Sequence, residues 1–374
     1  MILLIFYILI IILSYFSLII YYLIKWSRYT IEVDSNPEFS RHISLLIPVY
    51  NEKENLIKLL CSLKNQSLSK KNFEVIIIDD HSKNSLENLL RIPNLKDLNL
   101  SLLQNKYEQG KKHAIKTGVE SAKNEWIVTT DADCVPHNKW LESIYEAFKS
   151  KNPKLISAPV VMSHKNSFFQ KFQAFEFSSL VATGAASIAS GSPIMCNGAN
   201  LAFQKDLFLN AFPELKPEVK TGDDIFLLEY AKKHFPADII FLKNYDAIVT
   251  TVAESGLLDF FRQRIRWTSK SLYYKDPLLI FVSSLVFLLN LNILITTALS
   301  FINPDLLYSV IIQYGIKSIA DFLFLRNFFK FLRLEKLMWM FPIVQIIYPY
   351  YIILVSVSGI IKSFYNKYVK VFKK

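Results

Sequence analysis

The chain has 374 residues, of which 52% are hydrophobic and 20% are charged, and 43 Lys and Arg against 32 Asp and Glu give a net charge of +11. This composition, with only 9 glycines, excludes a disordered, collagen-like or Gly-rich low-complexity protein. Because the mean hydropathy is +0.25, part of the apolar excess is expected in a membrane.

Residues 1–24 carry no charged side chain and predict an N-terminal transmembrane anchor. At about 1.5 Å of rise per residue, this helix is long enough for a hydrocarbon layer about 30 Å thick. A cleaved signal peptide is the alternative, but no basic residue precedes the apolar run and no small-residue cleavage site follows it. Lys25 and Arg28 come next, which predicts that this end faces the cytoplasm.

Residues 25–276 are expected to form a cytoplasmic α/β domain. Between about 40 and 165, short apolar runs alternate with longer helical periods, which predicts a mostly parallel sheet flanked by helices. The predicted strands are 43–49, 73–79, 98–103, 125–130 and 154–161. The predicted helices are 53–65, 84–91, 108–123 and 138–150, with Asn51, Asn84 and Asn138 as candidate caps.

Acidic residues follow three of these strands. The segments are Pro48 to Glu52, Asp79 to Ser82, and Asp131 to Asp133. A parallel sheet binds ligands at the carboxyl ends of its strands, where clustered carboxylates need a bound cation or a basic contact. Two carboxylates at D-x-D spacing are able to share one hard cation and the phosphates that it carries. No GxGxxG or P-loop sequence follows a strand, which argues against Rossmann enzymes and P-loop nucleotidases.

Two further segments are predicted to form helices that have an apolar face but are too short or too polar to span a membrane. We expect 167–189 and 257–274 to lie on the membrane surface, and a buried core helix is the equal alternative for 167–189. The region 277–361 then predicts two to three membrane segments, at 277–302, 305–325 and 338–361. It is followed by a basic tail, 362–374.

The topology of the last segment stays open in the sequence. If all three segments cross, the basic residues between Arg326 and Lys336 are cytoplasmic, but the basic tail falls outside. Pro342 and Pro349 interrupt the last segment and make a re-entrant or interfacial course a reasonable alternative. That course places both basic regions on the cytoplasmic side.

The order of motifs resembles the membrane-bound family-2 glycosyltransferases with a GT-A fold, a group that includes cellulose synthase, hyaluronan synthase and ceramide glucosyltransferase. The resemblance covers about residues 42–270. It rests on seven motifs in order: Ile47 to Glu52, Val75 to Ser82, Gly110-Lys111 with Ala114, Asp131-Ala132-Asp133, Asn197-Gly198-Ala199-Asn200, Thr221 to Asp224, and Gln263 to Trp267. The acid cluster departs from the family pattern by having Asp at position 223 in place of Glu.

The resemblance implies a role for each motif. Contacts to the nucleotide-sugar are expected from Pro48, Tyr50, Glu52, Asp79, Asp80, Lys111 and Asp131. Mg²⁺ or Mn²⁺ is expected at Asp131 and Asp133, and Asp224 is the expected general base, with Asp223 beside it. Contacts to the acceptor are expected from Asn197, Gly198, Asn200, Gln263, Arg266 and Trp267.

The sequence thus predicts an integral protein of the cytoplasmic membrane that transfers a sugar, with inversion, from an NDP-sugar, with UDP as the expected nucleotide. Because few spans are predicted, the favoured acceptor is a lipid or a lipid-linked glycan. A processive polysaccharide synthase is the alternative within the same class, and a non-catalytic nucleotide-sugar-binding protein is the alternative outside it. The positive charge flanks apolar segments, so a membrane surface is favoured over nucleic acid as the partner.

Overall fold

The computed structural model describes residues 2–31, 42–165, 167–215 and 222–365. The chain divides into two compact units. The sheet unit comprises Tyr29–Ser163 and Thr183–Ala253. The helical unit comprises Met1–Arg28, His164–Ala182 and Glu254–Lys374.

Within the described residues, all strands belong to the sheet unit. They are β1 (Ile43–Val49), β2 (Phe73–Asp79), β3 (Leu100–Gln104), β4 (Trp126–Thr129), β5 (Val135–Pro136), β6 (Leu155–Ser157), β7 (Val160–Ser163), β8 (Leu201–Gln204), β9 (Ile239–Phe241) and β10 (Val249–Val252). The helices are α1 (Ile2–Arg28), α2 (Lys53–Lys64), α3 (Lys111–Ser121), α4 (Trp140–Lys151), α5 (Phe168–Ala189), α6 (Lys205–Ala211), α7 (Asp223–His234), α8 (Leu257–Thr268), α9 (Pro277–Ser300), α10 (Leu306–Phe331) and α11 (Phe341–Phe364).

The larger sheet is mostly parallel and has the strand order β3-β2-β1-β4-β8-β6-β9. β1 pairs in parallel with both β2 and β4, while β8 is antiparallel to its two neighbours. The side chains of β2 are buried along its whole length, as expected for a strand covered on both faces. A second sheet has the order β5-β10-β7. The predicted α/β class, with a mostly parallel sheet flanked by helices, is confirmed.

Most predicted elements agree with the structure, and two differ. The strand expected at 154–161 is divided into β6 and β7, which belong to different sheets and are separated by Ala158 and Pro159. The helix expected at 84–91 is only a 3₁₀ segment, Glu87–Arg91, which Pro93 follows closely. Proline restricts the residue before it to extended conformations, so an α-helix does not continue there.

The predicted asparagine caps are also wrong for α2 and α4, which begin after Glu52 and Lys139. Asn51 instead has a left-handed φ of 57°, and its Oδ1 accepts a hydrogen bond from the Lys83 amide at 2.9 Å. This side chain joins the turn after β1 to the turn after β2. Both turns are therefore held at the carboxyl edge of the sheet.

Glycine allows α3 to pack closely against the sheet. A Cβ atom at Gly118 would lie 2.9 Å from Ile78 Cδ1 and 3.1 Å from the Leu46 methyl groups. Because Leu46 and Ile78 belong to β1 and β2, this contact sets the height of α3 above the two strands whose ends carry acidic residues. The start of α3 is thereby fixed at the same edge.

The helical unit contains four helical segments that by length and apolar composition are able to cross a membrane: Phe6–Arg28, Pro277–Ser300, Leu306–Phe331 and Glu335–Phe364. One cluster of polar side chains buried between them is paired. Tyr15 on α1 donates to Asp321 on α10 at 2.7 Å, and Lys317 Nζ donates to Asp321 and to Gln345 of α11, each at 2.7 Å. Charged groups in an apolar bundle are tolerated when they are paired in this way.

The helix expected at 167–189 is present as α5, and its described side chains favour the buried alternative. Gln173 and Ser178 are fully buried, and Glu176 is 4% exposed. The apolar residues Phe172, Ala174 and Phe175 are buried as well. Because buried positions follow one another around the helix, α5 lacks the free apolar face that a surface helix would turn to lipid.

The packing at Gly118 predicts that Gly118→Val destabilises the sheet unit by about 1–3 kcal/mol, because the branched side chain overpacks the methyl groups beneath α3. Thermal unfolding of the full-length chain in detergent, followed by circular dichroism, measures the effect. Ser121→Val, at the partly exposed end of the same helix, is the control, and we expect a change within about 0.5 kcal/mol. Equal effects of both substitutions would show that the close contact is not energetically important.

Candidate active site

The turns after β1 and β2 form the first part of the candidate site. The register pairs Val49 with Asp79, and the amide of Asp80 donates to the Val49 carbonyl at 2.8 Å. Asp79 Oδ1 accepts a hydrogen bond from the Ser82 amide at 2.9 Å, while Ser82 Oγ accepts from the Asn51 amide at 3.0 Å. One carboxylate of the predicted nucleotide site therefore also closes the turn that carries it.

Asp80 fixes the beginning of α3. Its two carboxylate oxygens lie 3.0 and 2.9 Å from the Gly110 amide nitrogen, and Asn105 Nδ2 donates to it at 2.6 Å. Gly110 has a φ of +155°, a conformation that other residues rarely adopt. Since Lys111 is the first residue of α3, the buried Asp80 carboxylate determines where the lysine side chain starts.

Lys111 is the central cation of the site. Its ammonium forms a short ion pair with Asp131, which follows β4, and the side chain is 31% exposed. Burial by itself lowers the pKa of the lysine. The carboxylates of Asp131, Asp223 and Asp224 outweigh that effect and raise the Lys111 pKa above its usual value. Lys111 is therefore charged and lies near acidic residues from two separate segments.

Asp133 lies in a more crowded acidic environment. Thr251 Oγ1 donates to Asp133 Oδ2 at 3.0 Å. Burial and the negative charges of Asp131 and Glu52 raise the pKa of the Asp133 carboxyl above its usual value, although the threonine hydrogen bond opposes the shift. Mutual repulsion of this kind is relieved when a cation binds between the carboxylates.

Asp223 and Asp224 begin α7. Gly222 precedes them with a φ of +97°, which turns the chain into the helix, whereas Thr221 lies outside the described residues. Asp224 Oδ2 accepts a hydrogen bond from the Gly198 amide at 3.2 Å. The partial positive charge of the helix N-terminus stabilises the ionised carboxylates. Asp223 is 8% exposed, while Asp224 is less buried.

The loop before β8 brings α7 and α3 together. A Cβ atom at Gly198 would lie 3.4 Å from both Lys111 Nζ and Asp224 Cβ. Thr129, the last residue of β4, donates to the Gly198 carbonyl at 3.1 Å. Glycine at this position therefore leaves the space in which the lysine ammonium and the Asp224 carboxylate approach each other.

Asn200 of the same loop does not reach the surface, contrary to its expected contact with the acceptor. Its side chain is fully buried and donates to the carbonyls of Pro159 and Ala247, each at 2.8 Å. It also accepts a hydrogen bond from Trp140 Nε1 at 2.8 Å. Asn200 is therefore a buried structural residue, whereas Asn197 is partly exposed and accepts from the Ala199 amide at 2.9 Å.

The three predicted residues around the end of β1 differ in accessibility. Pro48 is half-buried within the strand, and Tyr50 is 47% exposed just beyond it. Glu52 is exposed, accepts from Asn55 Nδ2 at 2.7 Å, and lies near enough to Asp133 to affect its pKa. The sheet unit thus brings together the predicted residues from the ends of β1 and β4, the start of α3 and the start of α7.

The donor atoms at this edge fit a hard divalent cation that also binds substrate phosphate. In the part of the chain that the structure describes, no group of three or more His, Cys, Asp or Glu residues is arranged to hold a metal alone. Mg²⁺, however, is commonly bound by one or two carboxylates together with phosphate oxygens and water. Asp131 and Asp133 provide two such carboxylates, and a bound cation would offset the repulsion that, together with burial, raises the pKa of Asp133.

The last predicted motif lies on α8 in the helical unit. Gln263 Nε2 donates to Glu254 Oε1 at 2.8 Å, Arg266 is exposed, and Trp267 is partly exposed. The ring of Trp267 lies 6.0 Å from that of Phe177. These three residues are therefore on one helix, and Gln263 is already held by a partner.

Arg264, within the same motif, was missed in the sequence. It is 2% exposed, and its Nε and Nη2 donate to Glu176 Oε2 at 3.0 and 2.6 Å. The guanidinium also lies 4.2 Å from the centroid of the Trp267 ring and donates from Nη1 to Gln263. The signal that could have revealed it is Glu176, a single carboxylate within an apolar run, which requires a buried cationic partner.

These contacts predict that Arg264→Lys exposes Trp267, because a lysine ammonium does not reproduce the planar stack or the forked contact with Glu176. We expect red-shifted tryptophan emission and stronger quenching by acrylamide. The chain has 5 tryptophans, so the same substitution in a Trp267→Phe background isolates the signal. Arg262→Lys, at an exposed position on α8, is the matched control. Unchanged emission in Arg264→Lys would contradict the assigned stacking.

Comparisons with known proteins show which proteins this chain is similar to. Residues 44–208 match Glycosyl transferase family 2. Glycosyltransferase AglE of Haloferax volcanii is 31% identical over 33% of this chain and 41% of its own length. A poly-beta-1,6-N-acetyl-D-glucosamine synthase of Staphylococcus epidermidis is 25% identical over 67% of this chain and 60% of its own length. The chain thus spans less than two thirds of these relatives.

A solved structure shares the fold over most of the chain. The mannosyltransferase PcManGT from Pyrobaculum calidifontis, determined in complex with GDP-Man and Mn²⁺, matches with a TM-score of 0.58 and 17% identity over 98% of both chains. At this identity the likeness concerns the fold alone. Residues 44–208 therefore match the glycosyl transferase family 2 domain, and the fold is the α/β GT-A fold.

Proposed function

We propose that the protein is a membrane-bound, inverting glycosyltransferase that transfers a sugar from an NDP-sugar to a lipid or lipid-linked acceptor. The observation that carries the proposal is the meeting of Lys111 with acidic residues from two segments, Asp131 after β4 and Asp224 at the start of α7. A donor diphosphate requires positive charge beside it, and an acceptor hydroxyl group requires a carboxylate that accepts its proton. Both groups must lie at one place.

The diphosphate is expected near Lys111, Asp131 and Asp133. When bound at the two carboxylates, Mg²⁺ or Mn²⁺ neutralises the charge that develops on the leaving nucleoside diphosphate. Lys111 contributes a further positive charge, and its ion pair with Asp131 holds the ammonium at the edge of the sheet. Asp80 acts through Gly110 to orient Lys111, so we assign it a positioning role beside its expected contact with the nucleotide. Asp79, Tyr50 and Glu52 remain expected nucleotide contacts.

Asp224 is the proposed general base. It accepts the proton of the acceptor hydroxyl while that oxygen forms the new bond to the anomeric carbon, and the bond to the diphosphate breaks with its electron pair on the nucleotide. A single displacement of this kind inverts the configuration and yields a β-glycoside from an α-linked donor. Asp224 is less buried than Asp223 and is held by the Gly198 amide at 3.2 Å, which suits proton transfer from a bound acceptor.

The acceptor class is supported by the membrane segments and by α8. The four apolar helices support a membrane location, which we propose is the cytoplasmic membrane with the sheet unit in the cytoplasm. Trp267 is partly exposed and has an aromatic ring of the kind that packs on sugar rings, and Arg266 is exposed and able to contact phosphate. A processive polymer synthase is the second candidate, because one relative is named as a poly-beta-1,6-N-acetyl-D-glucosamine synthase.

The base assignment predicts that Asp224→Asn lowers kcat by about 10²-fold or more, since proton abstraction is lost while the donor site is kept. The full-length chain in detergent is incubated with lipid extract and with UDP-glucose, UDP-N-acetylglucosamine or GDP-mannose, and the released nucleoside diphosphate is measured. Asp238→Asn, an exposed carboxylate of the sheet unit, is the control and is expected to be unchanged.

Full turnover in Asp224→Asn would overturn the base assignment. Nucleotide binding without release from any donor would instead favour the non-catalytic alternative.

The acceptor proposal predicts that the radiolabelled product extracts into organic solvent and gains the mass of one or a few sugars. Mass spectrometry of the lipid fraction and size-exclusion chromatography of the aqueous fraction separate this product from a polymer. Long aqueous-phase polymer formed from the donor alone would show that the processive candidate is correct.

A further inference from the structure

The geometry of the helical unit bears on which helices cross the membrane. α9 and α10 form an antiparallel hairpin, since Gln313 binds both Asn292, at 3.1 Å, and Thr296, at 3.2 Å, across the turn at 301–305. α9 begins at Pro277, after a short connection from the end of α8 at Thr268, and α10 ends at Phe331. In an antiparallel hairpin of two spans, these two ends lie on the same side of the bilayer. That side is the one from which the chain enters α9.

The beginning of α11 lies on this side as well. A short 3₁₀ segment, Glu335–Met340, connects α10 to α11. The ring of Phe175 lies 4.8 Å from Phe329, near the end of α10, and 6.4 Å from Phe341, the first residue of α11. The first turns of α11 then pack along α10, where Lys317 Nζ donates to Gln345 Oε1 at 2.7 Å.

The last turns of α11 return to the same side. Phe260 of α8 stacks on Tyr351 with their centroids 5.7 Å apart, and Thr268, at the end of α8, donates to the Val355 carbonyl at 3.3 Å. Gly359 lies so close that any side chain there would collide with Thr268. The two helices therefore run side by side in the same direction, and the last turns of α11 lie beside the short connection that leads into α9.

A transmembrane helix separates its ends by about 30 Å across the hydrocarbon layer. The beginning of α11 instead lies beside the half of α10 nearer this face, with Phe341 5.3 Å from Phe322, and its last turns lie beside the end of α8. We propose that α11 does not cross the bilayer but enters and leaves it on the side from which the chain enters α9, so that the chain has three spans. This inference rests on the proposed membrane location.

The outer face of α11 shows how such a helix is accommodated. Exposed apolar side chains recur along it with helical spacing, namely Ile346, Tyr350, Leu354, Val357, Ile361 and Phe364. The helix also contains Pro349 and ends with Lys362 in its last turn. An apolar stripe bounded by cations fits the acyl chains and anionic headgroups of one leaflet.

The charge distribution agrees with this course. Arg326, Lys330, Arg333 and Lys336 precede α11, and Lys362, Lys367, Lys370, Lys373 and Lys374 lie at its end or follow it. Three spans place all nine of these basic residues on one side, as the positive-inside tendency requires, whereas four spans would divide them.

Labelling of the full-length chain with a membrane-impermeant maleimide tests the topology in intact cells. The native Cys61 is exposed in the sheet unit and reports the side proposed to be cytoplasmic. Asn303→Cys, in the exposed turn between α9 and α10, reports the opposite side, and Lys374→Cys reports the end of the chain. Each variant is compared with the wild-type chain, before and after permeabilisation.

We expect Asn303→Cys to be labelled in intact cells, while Cys61 and Lys374→Cys react only after permeabilisation. Labelling of Lys374→Cys together with Asn303→Cys would show that α11 crosses and would overturn the inference alone. If Asn303→Cys and Cys61 reacted alike, the α9–α10 hairpin would not span, and the proposed membrane arrangement would fail with it.

Discussion

The candidate site depends on one electrostatic constraint, which is that several carboxylates approach one another at the carboxyl edge of a parallel sheet. The ends of β1 and β4 supply Glu52, Asp131 and Asp133, and the start of α7 supplies Asp223 and Asp224. Such a group of negative charges is stable only when positive charge is near. Lys111 provides part of that charge, while burial and the negative charges of Asp131 and Glu52 raise the pKa of Asp133.

The elements around this edge fix the position of the Lys111 ammonium. Gly118 lets α3 pack closely over β1 and β2, Asp80 holds the Gly110 amide at the first turn of α3, and Lys111 follows. On the opposite side, Thr129 and Gly198 hold the loop to which Asp224 is hydrogen-bonded. A donor diphosphate with its metal ion would supply what the carboxylates lack, which is why a nucleotide-sugar fits the site chemically.

The position of the acidic residues at one edge could be predicted from the sequence, because residues that follow the apolar strands of a parallel sheet lie at the same edge. The strands β1 and β2 were predicted with their observed bounds for the same reason, since continuous apolar runs define buried strands. Side-chain partners over long sequence distances could not be predicted. Asn200 forms hydrogen bonds within the protein, and Arg264 pairs with Glu176, because tertiary packing and not local spacing decides which polar groups are buried.

The direct test of the central claim is calorimetric titration of the full-length chain in detergent with UDP and with GDP, each in the presence of Mn²⁺ and again with excess EDTA. If the carboxylate edge is a nucleoside diphosphate site that needs a divalent cation, one of the two nucleotides binds at least about tenfold more tightly with Mn²⁺, a difference of about 1.4 kcal/mol. Asp131→Asn should abolish that difference. Equal affinity with Mn²⁺ and EDTA, or no binding of either nucleotide, would contradict the account.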